Sequence, residues 1–555
     1  MIRISEIKLP LDHTDEQLRL ATAEKIATHP SKIKNLIIFK RSYDARRSAM
    51  CLIYIVDIDI DNPEKILTKF SKDNNIRITP DMQYTHVGQA PINLIERPIV
   101  VGFGPCGFFA ALVLAQMGFK PIVLERGKEV RERTKDTWAF WRKNSLNPES
   151  NVQYGEGGAG TFSDGKLYSQ VRDPRYLGRK VLEEFVKAGA PEEIIYVNRP
   201  HIGTFRLVGM VENIRQEIIN LGGEIRFEHK VTDLIIDEQD AQRQLSGVIL
   251  ADGSQIMSKH IVLALGHSAR DSFQMIYDKG VYVEAKPFSI GFRVEHPQSI
   301  IDTARLGKNA GHHLLGSADY RLVHHANNGR SVYSFCMCPG GTVVAAASEP
   351  EHLVTNGMSQ YSRNERNANS AIVVGLTPED FPSTHPLAGI ELQRQLEAAA
   401  FVLGGKDYSA PAQLIGDFIA NKPSTTLGKV TPSYKPSIRL CNLASILPAY
   451  ATEAIREAIP EFNKKINGFA MHDAVFTAVE TRTSSPVRIK RDNLTYTSIN
   501  TNGLYPAGEG AGYAGGILSA AIDGIEIAEA VACSMLNIEN PHAKNKKGNN
   551  FAQDY

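Results

Sequence analysis

Residues 98–126 read PIVVGFGPCGFFAALVLAQMGFKPIVLER, and this stretch decides the fold. The apolar run at 98–101 predicts a buried parallel strand. Pro105 falls in the first turn of a predicted helix that continues through Gln116, and Gly118 sits just past the end of that helix. A second apolar run ends at Glu125. This order of strand, glycine turn, helix and strand is typical of a unit that binds a dinucleotide.

Each glycine of the motif has its own predicted role. Gly102 permits the tight turn, Gly104 lets the main chain approach a pyrophosphate, and Gly107 lets the helix pack on the strand. The helix N-terminus offers unpaired N–H groups. Glu125 lies eighteen positions after Gly107 (125 − 107), where a carboxylate holds ribose hydroxyls. Ordinary glycine turns share this spacing, but the surrounding elements favour dinucleotide binding.

Composition sets the broad limits. The chain has 555 residues, of which 43% are hydrophobic and 22% charged, enough for roughly three or four globular domains. A net charge of +1 provides no overall field that would attract nucleic acid or anionic lipid. Six scattered cysteines and a charged N-terminal segment predict a reducing, cytoplasmic location. No apolar run approaches the ~18 residues of a membrane-spanning helix.

The first 90 residues alternate strand and helix patterns, which predicts a small, ferredoxin-like α+β module. Within the stretch 32–47 of this module, six basic side chains are offset by Asp44 alone: Lys32, Lys34, Lys40, Arg41, Arg46 and Arg47. They fit a solvated basic edge strand, and a contact with phosphate or an acidic partner is the alternative.

The nucleotide-binding pattern is interrupted. A hairpin-like set follows at 225–250, and a buried strand at 261–265 ends in Gly266. The segment 503–510 and an apolar helix then come near the end of the chain. The residues between show strand patterns first and helix patterns later. The predicted strands are 288–294, 331–337, 342–347 and 371–376, and the predicted helices are 387–403, 413–419, 446–458 and 472–480.

Together these elements resemble the FAD-binding fold of the glutathione-reductase-like superfamily. Within it, the chain resembles the bacterial family of uncharacterised FAD-dependent dehydrogenases. Five segments carry the closer resemblance: YGEGGAGTFSDGKL at 154–167, FCMCPGG at 335–341, TNGMS at 355–359, ETRTSSPVR at 480–488 and PAGEGAGYAGGI at 506–517.

The resemblance implies an α/β fold with α+β parts, in which a Rossmann-like FAD-binding domain is interrupted by an inserted substrate or cap domain. The expected bounds are 1–90 for the ferredoxin-like module, 91–285 and 481–540 for the two parts of the FAD-binding domain, 286–480 for the insert, and 541–555 for a flexible tail.

The resemblance also assigns cofactor-binding residues. The pyrophosphate would lie at Gly102, Gly104, Pro105, Cys106 and Gly107, and the adenosine at Glu125, Arg126 and the main chain of Val231, beside Gly266. Gly508 and Glu509 would face the pyrophosphate and ribityl chain, and Gly515, Gly516 and Ile517 would begin a helix aimed at the flavin. The loop residues Gly157, Gly158, Thr161, Ser163, Asp164 and Lys166 would line the flavin, with a glycine-rich surface loop as the alternative.

The function that follows is an FAD-dependent oxidoreductase, moving a hydride between noncovalently bound FAD and an unidentified organic substrate. The chain lacks a second strand–GxGxxG–helix unit, so either NAD(P)H visits transiently or the substrate donates the electrons. It also lacks the cysteine pair that disulfide reductases of this superfamily carry after the first unit. The alternative is a redox-sensing or RNA- or partner-binding protein that uses the basic module, including flavin-dependent modification of nucleic acid.

Three further residues are weaker substrate candidates. Arg488 suits a carboxylate or phosphate, or else an interdomain salt bridge. Cys336 and Cys338 form a C-x-C whose side chains would share one side of a strand, with Cα atoms roughly 6.6 Å apart. Buried small hydrophobic side chains are the alternative for this pair. No metal site is predicted, because the histidine doublets at 312–313 and 324–325 lack the spacing of metal ligands.

Overall fold

The computed structural model describes residues 1–45, 50–239 and 242–543. Arg46, Arg47 and the predicted tail from residue 544 onward lie outside the described residues. The helices of the described part are α1 Asp15–Lys25, α2 Pro63–Lys69, α3 Pro105–Gln116, α4 Val130–Lys143, α5 Leu177–Lys187, α6 Thr204–Asn220, α7 Arg270–Asp278, α8 Gln298–Leu306, α9 Ala388–Gly404, α10 Ile415–Ile419, α11 Ala449–Lys465 and α12 Ile517–Leu536.

The strands of the described part, in chain order, are β1 Ile2–Pro10, β2 Ile33–Asp44, β3 Cys51–Ile60, β4 Ile76–Ile78, β5 Ile99–Val101, β6 Ile122–Leu124, β7 Glu224–Arg226, β8 Val231–Gln239, β9 Gln242–Leu250, β10 Gln255–Met257, β11 Ile261–Leu263, β12 Val283–Ala285, β13 Phe288–Pro297, β14 Val323–His325, β15 Ser331–Ala345, β16 Thr355–Ser359, β17 Asn367–Leu376, β18 Ala410–Leu414, β19 Ile438–Leu440, β20 Val475–Glu480, β21 Val487–Ile489 and β22 Leu504–Pro506.

A parallel sheet of order β22-β11-β5-β6-β7 positions the nucleotide motif. Its central strands are wholly buried apolar triplets, as expected of strands covered on both faces. Helices α3 and α12 pack against each other beside it. A Cβ added to Gly524 of α12 would lie 2.3 Å from the carbonyl oxygen of Cys106, so this glycine permits the close approach of the two helices.

Two antiparallel sheets come from the chain before and after the first nucleotide unit. Strands β1 to β4 form a sheet of order β2-β3-β1-β4, and β8 to β10 form a three-stranded meander. Strands β12 and β21 make a two-stranded ladder. The largest sheet runs β14-β15-β17-β13-β20-β18-β19, with β16 paired to β15. It is antiparallel except at β18 and β19.

The fold is therefore mixed α/β with parallel and antiparallel sheets, and the predicted class is confirmed at that level. The finer predictions, an inserted domain at 286–480 and a ferredoxin-like module at 1–90, stay predictions, as do the domain bounds. No helix within the described residues has the length and apolar character needed to cross a membrane.

One prediction for residues 331–480 was wrong, and two others differ in detail. Residues 472–480 were expected to be helical, but β20 occupies Val475–Glu480 and pairs with β13 and β18. The strands predicted at 331–337 and 342–347 are joined in the single strand β15, which ends at Ala345. Of the helix predicted at 413–419, Ile415–Ile419 forms α10 and the first two residues end β18. Short apolar runs fit a strand or a helix equally well, and the tertiary environment decides between them.

Candidate functional site

A cavity of about 970 Å³ lies at the carboxyl ends of β5, β6, β11 and β22. Its other wall comes from β15, β16 and β20 of the large sheet and from the loop at 158–171. Ligands of open parallel sheets bind outside the carboxyl ends of the strands, and this volume falls at the upper end of the ligand-pocket range.

The turn between β5 and α3 forms one side of the cavity. Gly102 has φ +96°, and a Cβ added to it would lie 2.4 Å from the carbonyl oxygen of Ala264. A Cβ on Gly107 would lie 2.0 Å from the carbonyl oxygen of Gly102. Gly104 is the N-cap of α3, so the unpaired N–H groups of the first turn lie at the cavity wall. This helix end is suited to an anion.

Glu125 follows β6 and is buried. Its Oε2 accepts a hydrogen bond from the Phe103 N–H at 2.8 Å, and its Oε1 accepts from the N–H groups of Gly127 and Gly155 at 2.8 and 2.9 Å. A carboxylate has about four acceptor positions, so room for another hydroxyl remains. Glu125 thus holds the glycine turn and the loop at 155 together as well as lining the cavity.

Arg126 lines the same end of the cavity. Its guanidinium lies 4.0 Å from the ring centroid of Tyr154 and pairs with Glu149 and Asp271. These two carboxylates and the tyrosine fix the guanidinium plane, which then offers a flat face to an aromatic ring. Val231 and Gly266 also line the cavity.

The loop at 155–166 comes close to the nucleotide turn. A Cβ added to Gly158 would lie 2.9 Å from the Cα of Gly104. Asp164 accepts a 3.0 Å hydrogen bond from Arg363, and Lys166 donates to the carbonyl oxygen of Met337. Gly158, Ser163, Asp164 and Lys166 line the cavity, and their contact with a flavin stays a prediction.

Two loop residues were expected at the cavity and lie elsewhere. Thr161, within a 3-10 turn, is buried against the guanidinium of Arg133, 3.4 Å away. Gly157 supports this turn, since its φ is +91° and a Cβ would lie 1.9 Å from the Thr161 hydroxyl. The turn directs the Thr161 side chain into the protein interior and away from the cavity. The position of Thr161 in the loop sequence did not predict this side-chain direction.

The C-terminal segment closes the cavity from the other side. The Gly508 N–H donates to Asp523 of α12 at 2.7 Å, which positions the following residue. Glu509 lines the cavity, and burial raises the pKa of its carboxyl to about 7, with Lys286 opposing the rise and Cys336 adding to it. Gly515, Gly516 and Ile517 lie at the N-terminus of α12.

Of the three weaker substrate candidates, one lines the cavity and two do not. Cys336 lines the cavity, while Cys338 is buried behind it. Arg488 does not line the cavity: its Nη1 lies 3.9 Å from Glu284, and its Nη2 donates weakly to the carbonyl oxygen of Gly512. Its strand β21 pairs with β12, in which Glu284 lies opposite Arg488.

Sequence reasoning missed several lining residues. His267 lies in the cavity wall, where burial first, and then the nearby Arg482 and Arg270, lower its pKa to about 3, so the ring is neutral at pH 7. Another end of the cavity is formed by Tyr168, Tyr320, Arg321, His325 and Tyr333. They come from separate strands and loops and follow no motif, so only the fold brings them together.

The basic residues of the N-terminal module are partly engaged within the chain. Lys34 forms an ion pair with Asp61 at 2.5 Å, and the Arg41 guanidinium lies 5.3 Å from the ring centroid of Tyr196. These contacts fit the solvated basic edge better than a shared anion site.

Comparison with known proteins adds the family. A model described as "FAD-dependent protein, C-terminal domain-like" matches residues 287–483, and a "Domain of unknown function (DUF8436)" matches residues 1–59.

Three solved structures are distant. Halogenase PltM is 12% identical with TM-score 0.37 over 81% of this chain and 72% of that one.

A flavoprotein/dehydrogenase from Cytophaga hutchinsonii is 12% identical with TM-score 0.34 over 81% of each chain. THI4 from Thermovibrio ammonificans is 17% identical with TM-score 0.24 over 34% of this chain and 66% of that one. TM-scores this low carry no argument about this chain.

A sequence relative is much closer. An uncharacterised protein of Clostridium beijerinckii is 47% identical over 531 residues, which cover 96% of this chain and 98% of that protein. FAD is the cofactor that the matched C-terminal domain implies. The chain therefore belongs to the same family as the Clostridium beijerinckii protein.

Proposed function

We propose that the protein is an FAD-dependent oxidoreductase that binds FAD noncovalently and transfers a hydride between it and an organic substrate in the cavity. One observation carries the proposal: the N-termini of α3 and α12, far apart in sequence, border the same cavity. In this proposal residues 91–285 and 481–540 hold FAD, and the insert at 286–480 shapes the substrate end.

The glycines at the cavity wall fit a large, flat, anionic cofactor. A Cβ added to Gly515 or Gly516 would meet no protein atom within 4 Å, so a side chain there would enter space that the cofactor needs. The α3 N-terminus offers N–H groups for the pyrophosphate, and Glu125 offers its remaining acceptor positions for the ribose.

Bound FAD supplies the hydride chemistry, and the chain supplies position and electrostatics. The positive end of the α12 dipole favours negative charge at the cavity wall near Gly516. Lys166 adds a cation at the same wall. Neutral His267 offers a hydrogen-bonding surface for an organic substrate, and Tyr168, Tyr320 and Tyr333 at another end of the cavity offer hydrogen-bonding and stacking surfaces. NAD(P)H would then visit this end transiently, or the substrate would donate the electrons.

The direct test is spectroscopic. The purified protein is expected to be yellow, or to bind added FAD with a change in absorbance, and to bleach anaerobically with its proper donor. A colourless protein that shows neither an absorbance change nor a thermal shift with FAD would refute the proposal. Anaerobic titration with NADH, NADPH and a panel of metabolites then identifies the donor.

Gly516→Leu is expected to weaken FAD binding roughly 5- to 150-fold, which corresponds to about 1–3 kcal/mol of steric conflict in a filled site. The melting temperature without FAD should stay near wild type, because the leucine meets open space. Gly209→Leu in α6 is the matched control, since a Cβ there also meets no atom within 4 Å and the residue does not line the cavity. Equal FAD affinity in both variants, measured by fluorescence titration, would contradict the proposed position of FAD.

FAD affinity is expected to fall by roughly fivefold between pH 6 and pH 8, because Glu509 loses its proton near pH 7 and its charge then repels the pyrophosphate by about 1 kcal/mol. The sign follows from the raised pKa: the carboxyl is neutral below about 7 and anionic above it. Glu509→Gln should bind FAD with an affinity that no longer changes over this range. Unchanged pH dependence in Glu509→Gln would exclude this carboxyl as the cause.

A further inference from the structure

Cys336 lies at the cavity wall in a distorted part of β15. The pairing of β15 with β17 shifts register between Phe335 and Cys338, and Cys336 has φ +44°. A left-handed conformation is uncommon for a residue other than glycine, and bulges near active sites re-aim side chains. The strained position therefore places this thiol at the cavity surface.

The Cys338 side chain contacts the main chain of Cys336. The Cys338 thiol donates to the carbonyl oxygen of Cys336, with its Sγ 3.3 Å from that oxygen. On a regular strand these side chains would be separated by two residues of extended backbone. Here one thiol lines the cavity and its partner is fully buried immediately behind it.

Charged side chains of both signs surround the pair. Arg293 donates to the carbonyl oxygen of Cys336 at 3.3 Å, and Lys166 donates to that of Met337. Glu480 pairs with Arg293 at 3.0 Å, and Asp164 pairs with Arg363 and lies 3.6 Å from Lys166. Glu509 lines the same cavity as Cys336.

The two thiols differ in acidity. The Cys338 thiol can donate a hydrogen bond to a Cys336 thiolate, and this donor, with Lys166 and Arg293, holds the pKa of Cys336 well below its usual range, although burial opposes this. The same hydrogen bond and burial raise the pKa of Cys338. The arrangement is that of an attacking thiolate with a protonated partner behind it.

We propose that Cys336 and Cys338 are a redox-active pair that reduces a low-molecular-weight disulfide entering the cavity. The Cys336 sulfur bonds to one sulfur of that disulfide, whose S–S bond breaks, and one half leaves as a thiolate that takes up a proton. Cys338 then gives up its proton and bonds to Cys336, which releases the other half as a second thiol. The two cysteines lose two electrons and two protons, and the incoming disulfide gains them.

The wild-type chain offers a direct experiment. Reduced protein is incubated with oxidised glutathione at pH 7, unfolded, alkylated with iodoacetamide and digested with trypsin. The fragment 331–363 contains Cys336 and Cys338 and no other cysteine. It is expected to be lighter by two hydrogens and to carry no alkyl group, while Cys106, Cys441 and Cys533 are alkylated. A fragment carrying two alkyl groups would overturn the proposal.

Single variants distinguish the two roles. Cys338→Ser should accumulate a glutathione adduct at Cys336, because the partner that releases it is gone, whereas Cys336→Ser should carry no adduct at Cys338. Cys441→Ser is the control and should behave as wild type. An adduct at Cys338 in Cys336→Ser, or none at Cys336 in Cys338→Ser, would contradict the assigned roles.

A rate measurement needs no variant. In the native reduced protein at pH 7, iodoacetamide should modify Cys336 roughly tenfold faster than Cys441, whose pKa is raised by burial. An equal or slower rate at Cys336 would overturn the proposal. None of these readouts depends on FAD, so a colourless protein with a reactive pair, or a yellow protein without one, separates this inference from the proposed function.

Discussion

Gly107→Ala is expected to abolish measurable FAD binding and to destabilise the protein by about 1–3 kcal/mol. The new Cβ would lie 2.0 Å from the carbonyl oxygen of Gly102 and 3.0 Å from its carbonyl carbon. Both are backbone atoms, so no side chain can move to relieve the overlap. Either α3 or the Gly102 turn must shift, and the N–H groups of α3 then leave the position at which we place the pyrophosphate.

The measurements for Gly107→Ala are FAD titration and thermal unfolding. Gly209→Ala in α6 is the matched control, because the same methyl group meets no atom within 4 Å there. Removing a helical glycine should stabilise that variant by roughly 0.5–1 kcal/mol and leave FAD binding unchanged. Wild-type FAD affinity in Gly107→Ala would show that the turn does not hold the cofactor.

Glu397→Ala should destabilise the protein by about 3–5 kcal/mol, the usual cost of leaving buried charges without a partner. Glu397 in α9 is fully buried between two guanidinium groups, with Arg270 at 2.6 Å and Arg482 at 2.9 Å. Thr481 also donates to it at 2.7 Å. Arg482 lines the cavity, so this network joins α9 and α7 to the segment that follows β20.

The effect of Glu397→Ala is measured as the shift of the urea unfolding midpoint at pH 7. Arg394→Ala is the control, since this arginine is 38% exposed and its pair with Glu349 should contribute at most about 1 kcal/mol. Equal shifts in the two variants would contradict the buried network as a major source of stability.

The same network predicts a pH dependence of stability. Burial alone would raise the pKa of Glu397, but Arg270 and Arg482 hold it well below its usual range. Because the folded-state pKa is depressed, the stabilisation is complete above the unfolded-state pKa of roughly 4.3 and is lost as the pH falls below it. Wild type should therefore lose stability on acidification more steeply than Glu397→Ala.

The local elements of the nucleotide motif could be predicted well from the sequence. The β5 strand, the start of α3 at Pro105, the end of α3 before Gly118 and the start of α12 after Gly516 all lie where the residue pattern placed them. Proline, glycine and buried apolar runs restrict the backbone within a few residues, so their effect can be read without knowledge of the fold. Residues 475–480 contain no proline or glycine that restricts the backbone, and their prediction as a helix was wrong.

The sequence by itself determined the glycine turn before α3 and the start of α12, because these features depend on neighbouring residues and on backbone sterics. Only the tertiary structure decided which side chains share the cavity. Cys336 lies at the cavity wall because the register of β15 against β17 shifts, and the side chain of Thr161 is buried because of a 3-10 turn. His267 is neutral because burial and two nearby arginines lower its pKa. Strand register, side-chain direction and burial arise from contacts between residues far apart in the chain, and no local pattern encodes them.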